Sequence, residues 1–60
     1  MSSEETRRVL KVFGVAVTNL EDAIEQRKPR EEIMKWDAEL AGRTREVIDM
    51  VDRLRSRRIA

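Results

Sequence analysis

Carboxylates are the residues in this chain best placed for chemistry, and they come in close sets: Glu21, Asp22 and Glu25; Glu31 and Glu32; Asp49 and Asp52. Such sets hold metal ions, or act as general acid and base where a concave site drives their pKa values apart. A di-iron helical site would need Glu-x-x-His on facing helices, and the sequence has no His. It has no Cys either, which removes nucleophilic thiols, thiolate metal sites and disulfides. No glycine-rich phosphate loop, nucleophile elbow or kinase-type motif is present. The expectation is no catalytic residue, no cofactor and no metal, with the carboxylates forming a solvated face.

The second chemical feature is basic. Residues 19–52 carry ten acids against six bases, whereas Arg53, Arg55, Arg57 and Arg58 form an unrelieved basic end. Four arginines so close together could contact phosphates, which attract basic patches whatever the base sequence. They also suit the negative pole of a helix dipole. The net charge is only +1 although charged residues make up 42% of the chain.

The elements that must position these groups are legible as two apolar stripes on either side of Pro29. Before it the stripe is Leu10, Phe13, Val17, Leu20 and Ile24; after it come Ile33, Trp36, Leu40, Val47, Met50/Val51 and Leu54. Spacings of three and four residues predict helices, with Leu10, Val17 and Ile24 at one heptad position and Phe13 and Leu20 at the other. Val9, Ala16 and Ala23 flank that column and widen it. Val9–Val17 is also rich in β-branched residues, but as a strand it would be apolar on both faces. Folding the chain at Lys28-Pro29 brings Ile24 level with Ile33, Val17 with Leu40, and Leu10 with Val47.

Local signals give the boundaries. Ser2 with Glu5 three residues on fits a capping box. Pro29 disfavours helix in the residue before it and suits the start of a new one, and Glu31 and Glu32 then lie in a first turn, at the positive end of the dipole. Glu31–Lys35, Glu39–Arg43 and Asp49–Arg53 have the i,i+4 spacing of helix-surface ion pairs. Gly42 could cap a helix, with Thr44 opening a third. However, Ile33, Leu40, Val47 and Leu54 keep a spacing of seven across it, which predicts one continuous helix. Gly14 falls level with Gly42, which predicts close approach of the two helices there.

The expected fold is all-α: a two-helix antiparallel hairpin as a single domain over residues 1–60, helix one about 3–27, turn 28–29 and helix two about 30–57. A domain this short buries only about 60% of the surface its unfolded chain exposes. Without disulfides or a metal, association is the remaining way to cover the stripes. A homodimer closing an antiparallel four-helix bundle is the simplest solution, and a larger protein partner is the other. The packing residues are then Leu10, Phe13, Val17, Leu20, Ile24, Ile33, Trp36, Leu40, Val47, Val51 and Leu54. Trp36 is expected in that core beside Leu20. The longest apolar run, Val12–Val17, is far short of the roughly 20 residues a spanning helix needs. With no leader pattern either, a soluble cytoplasmic chain with no membrane contact is expected.

Three resemblances bear on function. Leu40-Ala41 followed by Gly42-Arg43-Thr44-Arg45-Glu46-Val47-Ile48 resembles the turn and second-helix start of ribbon-helix-helix DNA-binding proteins. That resemblance implies a short strand ahead of two helices and a dimer that reads the major groove. The run Arg45–Asp52, with Leu54 and Arg57-Arg58, resembles the opening helix of helical chorismate mutases, in which two further helices complete the site. In architecture alone, the hairpin is similar to dimeric RNA-binding bundles that control plasmid copy number. The function expected from the residues themselves is a non-catalytic interaction module: an adaptor, accessory subunit or small regulator. The alternative is a small dimeric nucleic-acid-binding regulator that uses Arg53, Arg55, Arg57 and Arg58.

Overall fold

Ser3 opens the first helix. Its backbone is extended (φ −72°, ψ 162°) and its side-chain oxygen accepts from the Thr6 backbone N–H at 3.1 Å, satisfying one donor that the first turn leaves free. Its Oγ also lies 3.0 Å from Thr6 Oγ1. The cap is therefore Ser3 with Thr6 rather than a box of Ser2 with Glu5, and Ser2 lies outside the described residues. The structure, a computed structural model, describes residues 3–59. It contains two helices, α1 (Glu4–Glu25) and α2 (Arg30–Ile59), packed side by side as an antiparallel hairpin. No strand occurs among the described residues. The ribbon that the first resemblance implies is thus absent from the segment before Pro29, where α1 runs instead.

Helix α1 ends in a Schellman motif. The Lys28 N–H donates to the Ala23 carbonyl at 2.9 Å, and the Arg27 N–H donates to the Ile24 carbonyl at 3.1 Å. The motif needs a left-handed residue, usually glycine, and here Arg27 takes it at φ 54°. Pro29 then caps α2 rather than forming its first turn. Its carbonyl accepts from the Glu32 and Ile33 N–H groups at 3.0 and 3.1 Å.

Helix α2 runs unbroken through Gly42. Thr44 opens no third helix; its hydroxyl donates back to the Leu40 carbonyl at 2.8 Å, as Thr18 does to Gly14 at 2.9 Å. Gly14 and Gly42 do not form a close helix–helix layer. Both are exposed, and a Cβ built on either meets nothing within 4 Å.

The hairpin is one helix thick. Its extents are 47 × 18 × 13 Å. Its radius of gyration is 14.2 Å, where a compact chain of this length would have about 10 Å. A single layer of helices has no interior of its own, because stable domains bury the apolar face of one layer against another.

Candidate functional site

Four side chains are buried: Val9, Ala16 and Ala23 on α1, 2–3% exposed, and Met50 on α2 at 8%. The inward column of α1 is therefore the one that flanks the stripe, not the stripe itself. Alanines at this column leave room for larger side chains of α2, and Ala16 shares a groove with Trp36 and Arg43. Phe13, Leu20, Ile33, Trp36, Leu40, Val47 and Val51 are half-buried. Leu10, Val17 and Ile24 stay 49%, 39% and 55% exposed, and Leu54 is exposed as well. Sequence periodicity placed these side chains on one arc of each helix. That arc is wider than the contact between two helices, so packing turns α1 until its small residues face α2.

This rotation gives the hairpin two unlike flanks. On one, Val17, Leu20 and Ile24 of α1 and Leu40 of α2 line an open hollow whose only polar side chains are Glu21 and Glu25. Leu10 continues this flank one heptad toward the open end of the hairpin, and Ile33, Val47 and Val51 continue it along α2 at heptad spacing. Thr44 falls on the same side of α2, and its hydroxyl is already satisfied by the Leu40 carbonyl. The result is an apolar band along the length of the molecule. Apolar patches of this kind, rimmed by charge, mark interaction surfaces.

The other flank mixes apolar and charged side chains. Trp36 opens onto it, not beside Leu20, in a groove with Lys11, Val12, Val15, Ala16, Asn19, Glu39 and Arg43. Arg43 is held between two acids: its Nε donates to Glu39 at 3.0 Å and its Nη1 to Glu46 at 2.8 Å. The Arg43 hydrogen bond, then its charge and that of Arg8, hold the Glu46 carboxyl below its usual range against an opposing desolvation. The Glu46 hydrogen bond in turn raises Arg43 above its ordinary value. The Lys35 ammonium lies 5.0 Å from the Trp36 ring centroid, so it does not form the expected pair with Glu31.

At the open end, Arg53 reaches across to Glu5 at 3.5 Å, and Asp49 pairs instead with Arg45 at 3.4 Å. Arg55, Arg57 and Arg58 are exposed. Arg57 and Arg53 share a hollow with Ser3, Glu5 and Thr6 at the start of α1, so the arginines of the last turn cluster at the open end of the hairpin. Among the described residues, no three carboxylates converge as a metal site would require. No helix among them is long and apolar enough to cross a membrane. No family model matches the chain, and searches of curated proteins and of solved structures find no match.

Proposed function

We propose that this chain is a non-catalytic protein–protein interaction module that works through helix–helix packing, first of all with itself, as an adaptor, accessory subunit or small regulator. The observation that carries this reading is surface left uncovered. The chain exposes 5192 Å², where a compact monomer of 7.1 kDa would expose roughly 4,100 Å². The surplus of about 1,100 Å² exceeds the roughly 800 Å² per partner of a standard stable interface. Leu10, Val17 and Ile24, left outside by the hairpin's own packing, are among its exposed large apolar side chains, with Val15, Met34, Ile48 and Leu54.

The test is the native mass of the purified chain by light scattering across micromolar concentrations. A dimer that persists on dilution supports the reading. A folded monomer at every concentration removes self-association and requires a different protein to cover the band.

A second reading keeps the same fold and uses the exposed Arg55, Arg57 and Arg58, with Arg53, as phosphate contacts for a nucleic acid. It predicts binding that falls steeply with salt and weakens as these arginines are neutralised. Function that is indifferent to salt and to those replacements leaves only the interaction module.

A further inference from the structure

Side-chain charge is graded along the hairpin. At the open end, residues 3–11 and 49–58 carry seven bases against four acids. At the closed end, residues 20–32 carry five acids against three bases. The stretches between are neutral: residues 12–19 carry no charge, and residues 33–48 carry three of each sign. The molecule is thus positive at one end and negative at the other, and its apolar band runs between them on one flank.

We infer that a second copy of this chain seats on the Val17–Leu40 flank with its ends reversed, its open end over the closed end of the first. This rests on the self-association proposed above and adds the surface and the orientation. Two hairpins can stack flank to flank about a two-fold axis in either of two ways. With the axis along the hairpin, α1 lies over the partner's α2 and the open ends coincide, which places like charge on like at both ends. With the axis across the hairpin, α1 lies over the partner's α1 and α2 over the partner's α2, and each positive end meets a negative one. Both stackings bury the same apolar band, so apolar burial does not choose between them. Charge at the rim selects orientation and register more than it adds affinity.

The opposite flank does not receive the copy. Burying it would strip water from the Glu39–Arg43–Glu46 ion pairs, and desolvation of such groups offsets what their attraction returns. In the reversed stacking the Trp36 groove faces outward on both sides of the bundle.

The sequence has no Cys, so a spin label on Ser56→Cys is unique in each chain. Ser56 is exposed near the open end of α2. Reversed stacking places the two labels roughly 40 Å apart, from a rise of 1.5 Å per residue on either side of the centre. A separation below roughly 20 Å, the span across a four-helix bundle, overturns the orientation and leaves self-association standing. A monomeric native mass overturns both. The flank is tested with Val17→Glu and Val15→Glu, two residues apart on α1 but on opposite flanks. Val17→Glu should weaken association at least 100-fold and unfold the chain with it, and Val15→Glu should leave a folded dimer whose association changes less than threefold. Loss of the dimer with Val15→Glu but not with Val17→Glu overturns the assignment of the flank.

Discussion

Along one flank of the hairpin Val17, Leu20, Ile24 and Leu40 share a hollow with almost nothing polar in it, while along the other Trp36 and Val15 share theirs with Lys11, Asn19, Glu39 and Arg43. The same two helices make both. The difference arises because each helix carries an apolar arc wider than its neighbour can cover, and the excess on one side lies among few charged groups while on the other Val15 and Trp36 lie among several. On the first side water is left against leucine, isoleucine and valine side chains at heptad spacing, the pattern that packs helices together. On the other, Arg43 occupies a heptad position between Trp36 and Met50 and brings charge into the groove. One flank leaves mostly apolar side chains open, and the other mixes them with ion pairs.

Five perturbations would break or sharpen this contrast. The largest effect is expected from a charge in the apolar flank: Val17→Glu or Leu40→Glu should abolish dimerisation and unfold the chain in the same step. Circular dichroism read beside light scattering would show it, and a folded monomer surviving either substitution would end the claim that folding and association are one event. Next comes the seam between the helices. Ala16→Leu should destabilise by about 1–3 kcal/mol in urea unfolding, since it overpacks a closed position, whereas the same change on an open flank would cost little. Unchanged stability would mean that α2 does not approach α1 there.

Smaller effects are expected on the exposed backbone. Arg27→Gly relieves a left-handed residue and should stabilise by about 1 kcal/mol, seen as a raised midpoint. Gly42→Ala, with open space around the added Cβ, should also gain about 1 kcal/mol. A loss at Gly42 would mean that something packs on the polar flank after all. The smallest effect is electrostatic. Arg43 holds the folded pKa of Glu46 below its unfolded value. The stability this contributes is whole above the unfolded Glu value of about 4.3 and is lost as the pH falls through the lower folded value. Glu46→Gln should therefore flatten the acid limb of the stability profile, lowering stability slightly near neutral pH and leaving it unchanged at the acid end.

Much of the fold was legible before any coordinates. Pro29 announced the break, and the unbroken seven-residue spacing of Ile33, Leu40, Val47 and Leu54 announced that Gly42 would not interrupt α2. The caps were less legible. Neighbouring serines compete for one role, and Arg27 in a left-handed conformation has no sequence signature, because glycine is the residue that normally marks that position. Ion-pair partners were only partly legible. Spacing placed Glu39 with Arg43, but Arg53 turned to Glu5 on the other helix and left Asp49 to Arg45. Periodicity set the candidate packing residues on one arc, yet it could not show how their exposure would divide. Val9, Ala16 and Ala23 took the interior, and Leu10, Val17 and Ile24 took the flank.

By itself, then, the sequence determined two amphipathic helices, the place where they turn, the absence of Cys and His chemistry, and an apolar arc too wide for one helical neighbour. Heptad spacing specifies which side chains share a face, and it does so locally. Tertiary structure alone decided how far each helix turns about its own axis. That rotation sets Ala16 beside Trp36 and Arg43, a match between residues far apart in the chain. It is this fit that moved the larger aliphatic side chains of α1 to the outside and made one flank apolar and the other mixed.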